Sequence, residues 1–451
     1  MRAFHLLLVL ALLTLSGCQN GTPTPPPVTA TGTATATVAA ASPTSPPESA
    51  FAVTPDALRG LTIEVWHPWT GAMGHLLENQ IGAFNLQNPW GIQVRGRAFS
   101  GFSELQATLR ESLKASEVPD LAILLSEQAS EWAAQQVLVD LAPYLNDPVY
   151  GLQQAEIADF YPAIWAQDAP GLQRWGMPAQ RSGRVLLYNQ SWAQELGFSM
   201  PPAGPQEFRQ QACAAARAAG NGRGGWYLDT HPMTALSWIY AFNGEIVEGQ
   251  GYRFLQPANL SAFTFLKALF DDGCSWREAQ TDPIQAFSTR QALFLTLGIE
   301  ELPAVERAFA SQGSRDRWRV IAFAADFSFV SYGASYVLFK TSEARQLAGW
   351  LFMRWLLRPE NQAAMVKGTG FLPLTRSAFD RLSDYAAEHE AWKQAVERLP
   401  NARPAPTLAS WRQVKWMLGD GFEEIFRRGL ESGQIPLILA ELDRGAQDVS
   451  P

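Results

Sequence analysis

The sequence predicts an α/β protein built as two lobes around parallel strands. Short apolar runs alternate with stretches of helical spacing from residue 61 onward. One of those runs, Pro119 to Leu125, is almost continuously apolar, as in a strand buried on both faces. The stretch Ala57 to Pro451 holds roughly 395 residues, too many for one hydrophobic core and about right for two.

In order, Leu61 to Trp66 reads as a strand, followed by a Pro- and Gly-broken loop and a helix through Leu76 to Phe84. Ile92 to Arg95 is a second strand. Phe102 to Ala115 carries helical spacing (Phe102, Leu105, Leu109, Leu113), with Ser103 as the expected cap. Pro119 to Leu125 is the third strand, and Glu127 to Gln136 the helix behind it. Strand then helix, repeated, specifies a sheet with crossover connections. Ligands of such sheets sit beyond the carboxyl ends of the strands, so the loops after Trp66, Arg97 and Leu125 are expected to line a site.

The composition is globular, with 47% hydrophobic and 17% charged residues, and the formal net charge is −8. An acidic chain is a poor partner for nucleic acid or for anionic lipid surfaces. Trp132 to Leu141, Leu293 to Ile299 and Trp350 to Leu357 are too short or too interrupted to span a bilayer. The five histidines, His5, His67, His75, His231 and His389, are scattered, and no Cys/His group has metal-ligand spacing. Neither a metal nor another cofactor is expected. Cys213 and Cys274 are either a disulfide or two free thiols.

The amino terminus reads separately. Met1 and Arg2 precede the apolar stretch Leu6 to Leu15, roughly ten residues and too short for a mature span. Leu15-Ser16-Gly17-Cys18 resembles a bacterial lipoprotein signal, which implies cleavage before Cys18 and lipidation of its thiol. The alternative is an ordinary secretory signal with an incidental Cys. From Asn20 to about Pro55 the chain is largely Thr, Pro, Ala, Ser and Gly, with one charge, Glu48. Such a stretch is expected to be a disordered tether over 18–57 with a reach of roughly 30–35 Å. An O-glycosylated stalk fits the same composition. The expected location is extracytoplasmic, lipid-anchored to the cell membrane.

Across the remaining chain the motifs fall in a familiar order. They run Leu61-Thr62-Ile63-Glu64-Val65-Trp66-His67-Pro68-Trp69, Pro119-Asp120-Leu121, Trp132 to Leu141, and Phe160-Tyr161-Pro162. Then come Trp175-Gly176-Met177-Pro178, Val185-Leu186-Leu187-Tyr188-Asn189 with Glu195-Leu196-Gly197, and Pro201-Pro202. Phe287 to Gly298, Gly333 to Phe339 and Gly368-Thr369-Gly370-Phe371-Leu372-Pro373 complete the series. Together they resemble the sugar-binding solute-binding lipoproteins of bacterial ABC importers. The chain departs from that family at Ala203-Gly204-Pro205, where Thr-Trp is usual, and at Thr289 to Leu293, where Gly-Lys-Ala-Met is usual.

The resemblance implies a type II periplasmic-binding-protein fold with a hinge, an interlobe cleft and a helical C-terminal part. The first lobe would take 58–179 and return for 331–375. The second would take 180–330 and the helical part 376–451. The hinge would lie near Pro178-Ala179-Gln180 and Phe329-Val330. Closure would bury a ligand and present a surface to a permease.

Aromatic residues point independently to ligand chemistry. The chain holds 16 Trp and 25 Phe, and Trp or Tyr offers flat apolar area that suits the C–H faces of a pyranose. Trp66 and Trp69 flank the loop after the first strand. Trp226, Trp238 and Tyr240 fall in the part resembling the family's second-lobe cleft rim, and Trp411 resembles its C-terminal stacking aromatic. Trp350 and Trp355 lie in a helical pattern and read as packing residues. The polar candidates are Ser126, Gln128, Gln180, Arg181 and Tyr332, whose amide, guanidinium and hydroxyl groups suit sugar hydroxyls. Gly298 ends the matched segment at the cleft. Arg181 could fork a carboxylate or join a surface salt bridge, and His67 could touch ligand or cap a loop. Glu64, inside a strand, reads as solvated or paired.

The expected function is therefore capture of a carbohydrate, in particular an oligosaccharide, by a monomer that delivers it to ABC permease subunits. A glycoside hydrolase would need two facing carboxylates. Asp271-Asp272 and Glu300-Glu301 sit in polar settings that solvation explains, and no Gly-x-Ser-x-Gly elbow or phosphate-cradling loop is present. A sugar sensor without transport is the other alternative.

Overall fold

The computed structural model of the chain describes residues 48–115, 117–169 and 173–450. The signal segment, Cys18 and the tether to residue 47 lie outside the described residues. The end of the expected tether does not: Ser49 Oγ and the Ala50 N–H donate to the Asp147 carboxylate at 2.8 and 2.9 Å. Phe51 stacks on Tyr144 with centroids 4.3 Å apart. The tether is therefore docked from residue 49, because this first aromatic finds an apolar partner.

The strands are β1 (Thr62–His67), β2 (Gln93–Ala98), β3 (Leu121–Leu125), β4 (Met177–Asn189), β5 (Trp226–Tyr227) and β6 (Val247–Glu248). They continue with β7 (Gly251–Tyr252), β8 (Ser275–Trp276), β9 (Phe294–Gly298), β10 (Trp318–Ile321), β11 (Val330–Leu338) and β12 (Arg403–Pro404). The main sheet runs β2-β1-β3-β11-β4-β9-β5-β8, with β10 on β4 and β12 on β11. β1 is parallel to β2 and β3, and β5 is parallel to β8 and β9. Between these parallel groups β4 and β11 run antiparallel to each other, to β9 and to β3 respectively. Two parallel α/β units joined by an antiparallel crossing pair form a two-lobe architecture.

β4 makes the crossing itself. Its first half pairs with β11 from Met177↔Tyr336 to Gly183↔Ser331, and its second half with β9 from Arg184↔Gly298 to Tyr188↔Phe294. A register shift opposite Ala334/Ser335 places one extra residue, Ala179, in β4. Such a bulge bends a strand and increases its twist, here where the chain leaves one lobe for the other.

The expected helices occur as Gly71–Gln87, Phe102–Lys114 and Ser126–Ala134. The second starts one residue before its expected Ser103 cap. Gly101 is its N-cap, and Glu104 accepts from the Ser100 N–H at 2.7 Å.

Apolar side chains fill both lobes. Leu105, Leu109, Trp132 and Phe339 pack around Trp66 in the first lobe. Phe208, Trp226, Trp238, Phe263 and Phe294 form the second lobe's centre. The C-terminal helices Trp411–Glu424 and Ile435–Val449 complete that second core through Val414, Leu418, Phe422, Ile438 and Leu442. Cys213 and Cys274 form a disulfide with Cα atoms 4.4 Å apart, which settles the open alternative. Closing a loop with separation 61 restricts the unfolded chain by about 4 kcal/mol in the chain-entropy description. Among the described residues no helix is long and apolar enough to cross a membrane.

Candidate functional site

Strand parity organises the floor between the lobes. Successive β residues face opposite sides, so Gln180, Ser182 and Arg184 share one face of β4 and Arg181 takes the other. Ser182 donates its hydroxyl to Glu300, which lies just beyond the carboxyl end of β9. Arg184 donates to Asp229, in the loop after β5, and its second nitrogen lies 3.8 Å from Glu301. Thr234 also donates to Asp229. Burial works to raise the Asp229 carboxyl, but Arg184 and the Thr234 hydroxyl hold it below its ordinary range.

His231 starts the helix Pro232–Ala241, where its Nδ1 accepts from the Met233 N–H at 3.1 Å. Its ring stacks on Tyr332 of β11 with centroids 6.3 Å apart. Burial and the Arg184 charge push His231 down to about 4, so the imidazole is neutral near pH 7. Burial also raises the Tyr332 hydroxyl well above its usual range, keeping it a neutral donor.

Beside this cluster lies a groove of about 990 Å³ at the carboxyl ends of β5, β8 and β9. Arg184, Tyr227, Asp229, Arg277 and Glu301 line it, and Asp420 and Glu423 of the 411–424 helix close one side. The arrangement offers guanidinium donors, carboxylate acceptors and one phenol, which suits a ligand rich in hydroxyls. No two of these groups form a nucleophile–base pair.

The sequence-selected residues divide between the cleft and the cores. Gln180 and Tyr332 are half-buried on the crossing strands, and Gly298 ends β9 where an added Cβ would meet the Glu300 carboxylate. Ser126 is buried and donates to the Gly333 carbonyl at 3.2 Å. Gln128 is also turned inward, donating to Gln106 at 2.9 Å and accepting from the Leu125 N–H at 3.1 Å. His67 is fully buried, with Nε2 3.4 Å from Glu78, and burial lowers its pKa against the pull of that carboxylate. Glu64 is exposed and accepts from Trp66 Nε1 at 3.2 Å.

Arg181 is turned inward and not to the surface. It is fully buried and pairs with Asp168 at 2.5 Å, with the Ala334 carbonyl as a further acceptor. The selected aromatics are likewise packed. Trp66 lies against Phe99 at 5.3 Å beneath Arg97, and Trp69 is buried in an apolar cluster that also contains Leu77 and Ile81. Trp238 is 0% exposed among Phe208, Trp226 and Phe323, leaving its ring no free face in this conformation. Tyr240 packs on Phe327 with Arg403 over its ring, and Trp411 faces Tyr252 at 6.0 Å.

Sequence reasoning passed over Ser182, Arg184, Asp229, His231 and Trp416. The alternation of β4 was the available signal for the first two. Trp416 is 58% exposed and shares a helix face, at i, i+4 and i+7, with Asp420 and Glu423, the two acids that line the groove.

Known proteins match this architecture. The family described as bacterial extracellular solute-binding protein matches residues 79–400. A binding protein of Brucella abortus (strain 2308) is 21% identical over 370 residues, covering 79% of this chain and 86% of that protein. The sugar-binding protein MalE of Xanthomonas citri has a similar structure, with TM-score 0.74, 20% identity, and 86% and 97% of the two chains covered. The cyclic α-maltosyl-1,6-maltose binding protein of Arthrobacter globiformis aligns with TM-score 0.72, 17% identity, and coverage of 86% and 98%. With most of its length matched by one family and its fold shared with these binding proteins, the chain belongs to the bacterial extracellular solute-binding protein family.

Proposed function

We propose that the protein captures a carbohydrate, in particular an oligosaccharide, between its lobes and delivers it unaltered to an ABC permease. The observation that carries this reading is the row of polar side chains on one face of the crossing strand β4, Gln180, Ser182 and Arg184, which leads into the second lobe's groove of about 990 Å³. The groove's charged and hydroxyl groups continue into the Ser182–Glu300 and His231–Tyr332 pairs. Sugar hydroxyls both donate and accept, so carboxylates, guanidinium groups and phenols can bind them together. The similarity in fold to sugar-binding proteins supports the same class. Gln180, Ser182, Arg184, Asp229, Gly298 and Tyr332 form the proposed polar floor, and Trp416 the aromatic rim. Cys18 carries the lipid that holds the protein outside the cytoplasmic membrane.

A thermal-shift screen over oligosaccharides, peptides and polyamines tests the ligand class, because a ligand that binds only the folded state raises the melting temperature. Stabilisation by oligosaccharides is the expected result; stabilisation by peptides or polyamines alone refutes it. Incubating the stabilising glycan with the protein should return it intact, and cleavage would establish an enzyme instead. Cys18→Ser should release the protein into the medium or leave its precursor uncleaved.

A further inference from the structure

We infer that two ion pairs between the 126–134 and 411–424 helices form a latch that favours the closed arrangement of the lobes. This inference rests on the two-lobe binding role proposed above and adds a residue-level control of closure. The first helix follows β3 of the first lobe; the second is seated in the second-lobe core by Val414, Leu418 and Phe422. Lys415 pairs with Glu127, the two side chains being 17% and 9% exposed. One turn earlier, Arg412 Nε lies 3.3 Å from Glu131 Oε2. The cations are spaced i, i+3 and the carboxylates i, i+4, so both rungs form together when the helices meet side by side.

The first-lobe half of the latch is already in place. Glu131 accepts from Arg110 at 2.9 Å and from Gln106 Nε2 at 2.7 Å, and Gln106 is itself held by Gln128. The second-lobe half is not explained by its own helix. Arg412 occupies the first turn of the 411–424 helix, where the macrodipole disfavours a cation. Its favourable partner lies across the cleft. Opening returns Arg412, Lys415 and Glu127 to water and leaves Glu131 with Arg110 and Gln106, so the latch tunes the open–closed balance rather than fixing it. Removing one charge leaves its partner partly buried and unpaired in the closed form alone, which shifts the balance toward open.

The test is hydrogen–deuterium exchange on the full, ligand-free chain, comparing wild type with Lys415→Met, Glu127→Gln and the double variant Glu127→Lys/Lys415→Glu. The decisive amides are those of 298–301, which lie on the cleft floor and touch neither residue of the Lys415–Glu127 pair. Each single variant should exchange there about 3- to 10-fold faster, and the charge swap should restore protection. Acceleration confined to the two helices, or a swap no better than the single variants, overturns the latch. No ligand is added, so this outcome is independent of the sugar screen.

Discussion

Asp168→Asn should destabilise the protein severely, although Asp168 is no part of the proposed site. The Arg181 and Asp168 side chains are 0% and 1% exposed, with Nη2 2.5 Å from the carboxylate. The other carboxylate oxygen accepts from Ser335 of β11. Asp168 also opposes the burial that pushes Arg174 down to about 10. Loss of the carboxylate leaves one fully buried guanidinium without its counter-charge and a second poorly compensated, at a cost of about 3–5 kcal/mol. Replacing both partners by apolar side chains, Asp168→Leu with Arg181→Met, removes the orphaned charge and should recover most of that loss. Urea unfolding followed by tryptophan fluorescence measures both variants. A single variant within about 1 kcal/mol of wild type would refute the reasoning. If Arg181 instead contacted ligand, the apolar pair would fold yet lose ligand binding; it is expected to keep it.

Acid should weaken the fold through His231. Its folded-state pKa of about 4 lies below the ordinary 6.5, so the unfolded chain binds more protons between those values. The stability it contributes is present above about 6.5 and is lost as pH falls toward 4, amounting to about 1–2 kcal/mol by pH 5. His231→Asn keeps an N-cap acceptor without a titrating ring, so its melting temperature should fall less than that of wild type between pH 7 and pH 5. An equal fall would remove His231 as the cause. Trp238→Ala should cost about 3–5 kcal/mol because it empties a packed aromatic centre. A variant of wild-type stability with impaired binding would instead place this ring in the ligand site.

The order of strands and helices was legible because hydrophobic periodicity is local: the expected Leu61–Trp66 strand is β1 within a residue of its ends. The two lobes followed from length, and the family from motifs spread along most of the chain. The site was harder to read. The sequence marks Gln180-Arg181-Ser182 as polar, but the pairing register of β4 with β11 decides which members face the cleft. A shift of one residue exchanges them. That register sends Arg181 to Asp168 and leaves Ser182 to Glu300.

Tryptophan content likewise names a resource without its destination. Trp66, Trp69, Trp238 and Trp411 are each at most 5% exposed, since a large apolar ring goes wherever two elements leave space for it. The half-exposed Trp416 escaped notice because its helix face acquires meaning only beside Asp420 and Glu423. The Lys415–Glu127 pair joins residues 288 positions apart, and no local pattern couples charges over that distance. Periodicity and length therefore determined the architecture in the sequence itself. Strand parity, ring burial and cross-lobe charge pairing were decided in the tertiary structure, because each depends on which distant surface a side chain meets.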